Sequence, residues 1–151
     1  MPTHPRPSAD SSAIASFGGD GLETVHGIDV LTEWSVAALR EQFAQGGVGF
    51  FILTNARAFP EPEAAALTRE IVRNVAAAAG DRFRFTIVLR GDSTLRGHYP
   101  AEVDAVTSAV RDLGAPDFDA TVICPYFLAG GRYTIDDVHY VKQGAKLVPA
   151  A

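Results

Sequence analysis

The sequence has little that could staple or anchor it. Cys124 is the only cysteine, so no disulfide can form within the chain, and a reducing cytoplasm is the compartment that fits. No apolar run approaches the roughly 18 residues that a membrane span requires. The first residues, Met1 to Ser8, carry charge but no apolar stretch behind them, so no signal peptide is read. Basic residues are not in surplus: 13 Lys and Arg face 18 Asp and Glu, for a formal net charge of −5. That balance argues against a general nucleic-acid or anionic-membrane binder, yet leaves room for a locally basic pocket. No internal repeat is present.

What remains is ordinary globular material. The chain has 151 residues, 47% hydrophobic and 21% charged, enough for one domain with a core. Residues 1–21 are rich in Pro, Ser, Gly and Asp and are expected to form a disordered or loosely attached tail, with the folded domain at 22–151. Val25, Ile28 and Val30 suggest a short strand. Trp34, Ala38, Leu39 and Phe43 share a helical face that Gly46 and Gly47 end.

Val48 to Thr54 is a continuous apolar run, as a buried parallel strand requires. Residues 55–60 form its exit loop. Glu61 to Ala79 is the clearest helix: Pro62 suits the first turn, and Leu67, Ile71 and Val75 recur every four residues before Gly80. Phe83 to Leu89 reads as a second apolar strand. Pro100 to Leu113 reads as a helix with Val103, Val106, Val110 and Leu113 inward, and Ala120 to Cys124 as a third buried strand. Arg132 to Val141 alternates around Asp136 and Asp137, which predicts a β-hairpin. The expected class is α/β: a three-layer, Rossmann-like parallel sheet flanked by helices, with a C-terminal β-hairpin.

The chemistry concentrates between Arg90 and His98. This loop leaves a strand and leads into a helix, where unpaired backbone N–H groups carry partial positive charge. Such turns are where open α/β sheets take anionic ligands. Arg90 and Arg96 add bidentate donors for a carboxylate or phosphate. Asp92, Ser93 and Thr94 offer bonds to ligand hydroxyls. The competing reading is that these side chains satisfy the loop itself while the arginines pair with local acids. Arg57 lies in the exit loop of the other strand and would share the same rim, either as a ligand clamp or in a surface ion pair.

Other chemistries fit worse. The loop has no lysine, so it is not a Walker phosphate loop. Asp92, Ser93 and His98 are the residue types of a hydrolytic triad, but no Gly-x-Ser-x-Gly elbow surrounds Ser93. His26, His98 and His139 with Asp136 and Asp137 show no metal-ligand spacing. Cys124 ends an apolar strand and reads as packing rather than as a nucleophile. Gly130-Gly131-Arg132 is either a plain turn or a close approach to a ligand.

Asp92-Ser-Thr-Leu-Arg-Gly97, with Glu102 one turn into the helix, resembles the four-carbon acid sugar kinase family in its N-terminal, substrate-binding domain. Phe51 to Pro60 resembles that family's second block, a strand followed by Ser/Ala-Arg-Ala. Cys124 to Ile135, with Val138 to Val141, resembles its third. The resemblance spans about residues 22–148. It implies that Arg57 grips the substrate carboxylate or hydroxyls, and that Arg90, Gly91, Asp92 and Ser93 line the same pocket, with Thr94 and Arg96 beside them. The family's complete enzyme uses ATP and Mg, held by a C-terminal domain, so no cofactor or metal is expected in this chain.

Two departures accompany the resemblance. The family's Asp-Asp-x-Thr-Gly block corresponds to Ala15–Thr24, where Gly21 and Thr24 fit but the paired aspartates are absent and Asp20 is a displaced substitute. The chain also stops at Ala151, where the family continues toward its ATP domain. The expectation is therefore a chain not competent alone for phosphoryl transfer: a fragment, a split-gene product or a decayed paralogue. Its partners would be a small sugar acid and a separate chain carrying the ATP domain, with neither nucleic acid nor membrane.

Overall fold

A computed structural model describes residues 12–18, 27–91, 97–116, 118–125 and 127–150. The elements in order are β1 (Ser12–Gly18), β2 (Asp29–Leu31), α1 (Val36–Gln45), β3 (Gly49–Ile52), α2 (Glu61–Ala79), β4 (Arg84–Arg90), α3 (Ala101–Asp112), β5 (Arg132–Ile135), β6 (Val138–Gln143) and β7 (Lys146–Pro149). Strands β2-β3-β1-β4 form one parallel sheet in that order, and β5-β6-β7 form a separate antiparallel sheet. The α/β class, the parallel sheet with flanking helices and the C-terminal hairpin are thus all present.

Each helix has a local cause. Ser35 caps α1 by accepting from the Ala38 N–H at 3.2 Å, and Gly46 closes it at φ 75°. Helix α2 begins with Pro62 and two glutamates in its first turn, which suits the helix dipole. Its inward stripe is Ala64, Thr68, Ile71, Val72 and Val75, and Gly80 ends it. Among the predicted stripe residues, Ile71 and Val75 are fully buried and Leu67 is partly so. In α3 the buried face is Ala105, Val106 and Ala109, and Leu113 lies exposed beyond the last turn.

The helices gather on one side of the parallel sheet. Helix α2 touches both α1 and α3. Phe50 and Ile52 of β3, with Phe85, Ile87 and Leu89 of β4, pack against the same cluster as Leu39, Phe43, Val75 and Val106. Phe43 is its aromatic hub, edge-on to Phe50 at 5.4 Å and stacked on Phe83 at 5.3 Å. Polar bonds fix α1 to its neighbours: Gln42 donates to Asp29 at 2.9 Å, Trp34 to Glu70 at 3.1 Å, and Asn74 to the Trp34 carbonyl at 3.0 Å. Strand β4 alternates, with Arg84, Thr86, Val88 and Arg90 exposed on the face away from the helices. No helix among the described residues is long and apolar enough to cross a membrane.

Three expectations change. Residues 12–18 form a strand, not part of a tail, and occupy the middle of the sheet. Hydrogen bonding from both neighbours holds β1 there, and no local propensity signals that. The expected strand at Ala120–Cys124 is irregular and lies outside both sheets, with Val122 88% and Ile123 60% exposed. A short apolar run carries strand propensity but does not name a partner. Cys124, expected in packing, is exposed for the same reason.

The hairpin forms where alternation put it. Ile135 pairs with Val138 across Asp136 and Asp137, whose φ values of 49° and 62° make the doubly left-handed turn that matches strand twist. The tail adds β7 to the same sheet after a turn at Gly144.

Candidate functional site

The carboxyl ends of β3, β1 and β4 form one rim. Phe17 of β1 is in register with Ile52 of β3 and with Leu89 of β4, and Gly18 is in register with Arg90. The exits of β3 and β4 therefore flank the end of β1, two strand spacings or about 10 Å apart. The rim of an open parallel sheet is where such folds take ligands.

Arg57 sits on a tight turn at this rim. Leu53 donates from its N–H to the Leu31 carbonyl at 2.9 Å, extending the strand pairing. Thr54 is buried, and its hydroxyl accepts from the Ala56 N–H at 3.3 Å. Asn55 takes the left-handed conformation at φ 51°, which reverses the chain into the 3₁₀ turn Ala56–Ala58. Two bonds at 3.0 Å close the turn, from Ala58 to Asn55 and from Phe59 to Ala56. Ala56 is buried under it, and Arg57 is half-buried.

Arg90 is the last residue of β4, and its backbone is set by seven register pairs with β1. It is exposed, as is Gly91. Asp92, Ser93, Thr94 and Arg96 lie outside the described residues. So do residues 19–26, which follow the end of β1 and include Asp20. Arg57, Arg90 and Gly91 are thus the expected site residues that the described rim contains, in the two loops on either side of β1.

Past that loop, His98 is partly buried and its Nε2 has no hydrogen-bond partner among the described residues. Its carbonyl accepts from the Glu102 N–H at 3.0 Å and opens the first turn of α3. The Gly130-Gly131-Arg132 segment behaves as a plain turn. A Cβ at Gly130 would overlap the Phe127 ring, Gly131 stands at φ 68°, and Arg132 donates to the Gly130 carbonyl at 2.8 Å. These contacts account for both glycines without a ligand.

Sequence reasoning on composition alone missed the end of β1, which lies between the two arginine-bearing exits. The signal for it was the block Ala15–Thr24, visible only through the family resemblance. A family model described as the sugar-binding N-terminal domain matches residues 13–151. The chain belongs to that family. The match starts inside β1, in accord with a domain that begins at its central strand. No curated protein and no solved structure matches the chain. The rim of this sugar-binding domain carries Arg57 in the exit turn of β3 and Arg90 at the end of β4.

Proposed function

We propose that this sugar-binding domain is the acceptor-binding half of an ATP-dependent kinase that phosphorylates a four-carbon acid sugar, of the tetronate or 3-oxo-tetronate type. The observation that carries the reading is the pair of arginine-bearing strand exits, at Arg57 and Arg90, on one rim of a domain of the sugar-binding family. Two guanidiniums suit a substrate with a carboxylate at one end. The polar run Asp92, Ser93 and Thr94, with Gly91 and Arg96, suits its hydroxyls.

Arg57 holds the carboxylate, and residues 90–93 orient the hydroxyl that receives the phosphoryl group. Binding here supplies positioning, a large share of catalysis in phosphoryl transfer. ATP and Mg belong to the C-terminal domain of the family that the sequence resembles, on the same chain or on a partner chain. A sugar-acid binder without catalysis is the second reading. The absence of the paired aspartates ahead of Gly21 favours it, because a carboxylate is the natural group to orient a reacting hydroxyl.

Calorimetry with tetronic acids and with their uncharged alditols tests the proposal. The acids bind, the alditols bind at least about tenfold more weakly, and Arg57→Ala costs about 10- to 100-fold, the range for one charge-assisted contact. An absence of binding at millimolar acid, or an Arg57→Ala variant with unchanged affinity, overturns it. Turnover on addition of a chain carrying the ATP domain separates the first reading from the second.

A further inference from the structure

Thr54 and Asn55 stand side by side past the end of β3, and the turn uses the side chain of only one. In reversals of this kind a Thr, Asn or Asp side chain commonly accepts from the backbone N–H two residues on. Here Thr54 does so: it is buried, and its hydroxyl accepts from the Ala56 N–H at 3.3 Å. Asn55 is exposed between two buried neighbours, and its side chain makes no capping bond to the turn. What the turn takes from Asn55 is its backbone, at φ 51° and ψ 30°. Glycine enters that left-handed region without steric cost and would serve as well.

The position points to a use for the side chain. Strand β3 lies between β2 and β1, with the helices on one face, so a side chain exposed just past its carboxyl end stands at the rim. Arg57 follows two residues later, on the same short turn. The bonds from Ala58 to Asn55 and from Phe59 to Ala56 fix the backbones of both residues. We propose that Asn55 is a specificity-determining residue of this rim: its carboxamide bonds a hydroxyl or oxo oxygen of the sugar acid whose carboxylate Arg57 holds. The assignment rests on the sugar-acid function proposed above, and it adds a group that reads the ligand's uncharged oxygens.

An amide suits that task. It presents one acceptor oxygen and two N–H donors without a charge. It accepts from a hydroxyl and donates to a carbonyl, so a hydroxy acid and its oxo counterpart are both bound. A carboxylate in the same place would only accept. It would also repel the ligand's own carboxylate and compete for the Arg57 guanidinium. A neutral polar group beside a cation thus selects an acid that bears an oxygen substituent, at either oxidation level.

Calorimetry with tetronic acids on the whole chain, beside thermal melting of the same variants, tests this. Asn55→Gly keeps the left-handed turn and deletes the amide. It is expected to melt about where the parent does and to bind about 3- to 10-fold more weakly, the range for one neutral hydrogen bond. Asn55→Asp keeps the shape and tolerates φ 51° but adds a charge. It is expected to bind the acids at least about tenfold more weakly, with a smaller loss at high salt and for the uncharged alditols. An Asn55→Gly variant that binds as tightly as the parent overturns the assignment, and so does an Asn55→Asp variant that keeps full affinity. If Asn55→Gly weakens binding only together with a markedly lower melting temperature, the residue acts through the turn, and the assignment fails as well. A parent chain that binds no tetronate removes the proposed function and this assignment together. A parent whose affinity falls with Arg57→Ala but not with Asn55→Gly removes this assignment alone.

Discussion

The two sheets of this protein are held by different physics. Every buried hydrophobic residue among those described falls between Leu39 and Ala109, in the helix-covered parallel sheet. The antiparallel sheet of β5, β6 and β7 has none, and β7 is exposed along its whole length. The first region rests on area removed from water, with side chains from three helices and two strands in one apolar cluster. The second rests on turn geometry and main-chain bonds, at Asp136-Asp137, Gly144 and the Phe127–Arg132 bridge. A region of the first kind fails by losing volume, and one of the second kind by losing a backbone conformation.

Substitutions sharpen that contrast. Ile71→Ala empties a fully buried site in α2 and is expected to cost about 2–5 kcal/mol in chemical denaturation. A cost below about 1 kcal/mol would mean that the helix layer is loosely packed. Gly130→Ala forces a Cβ into the Phe127 ring and is expected to cost about 1–3 kcal/mol, read as lost amide protection in β5 and β6 but not in α2. If α2 loses protection equally, the two regions unfold as one unit. Asp137→Val puts a β-branched residue at φ 62° and is expected to cost about 1–2 kcal/mol, whereas Asp137→Gly is expected to be neutral or stabilising. The sign difference between the two variants, measured by thermal melting, is the check.

Ser35→Ala removes the cap of α1, for about 1 kcal/mol. Smallest is Arg73→Ala. Its ion pair with Asp112 joins α2 to α3 at 3.5 Å with both side chains more than half exposed, so the change should stay below about 0.5 kcal/mol at ordinary salt.

The same division explains what could be read from residues alone. Helix α2 was legible to its end residues because its signals are local: a proline, two glutamates, an apolar repeat and a glycine. The hairpin was legible because two adjacent aspartates between alternating residues demand a tight turn. Strand β1 was not legible, since Ser12, Ala13, Ala15 and Ser16 are small and follow a proline-rich stretch, and its place depends on β3 and β4. The Ala120–Cys124 segment shows the reverse, a clear local pattern with no strand beside it. At the site, Arg57 and Arg90 could be assigned to one rim from strand order alone. The intervening β1 could not, because a crossover that skips a strand leaves no mark in the residues it connects.

That skipped strand sets an order of events. Ser12 must find Arg84, and Ile14 must find Gly49, before the sheet is complete. On the ribosome the first strand emerges long before either neighbour exists. It waits while α1 and β3 form, and while α2 and then β4 are made. Closing so large a loop is slow compared with forming the helices or the late hairpin. The last step of assembly is therefore expected to be the insertion of the earliest-made strand between two that are already in place, and the rim that holds the arginines together exists only after it.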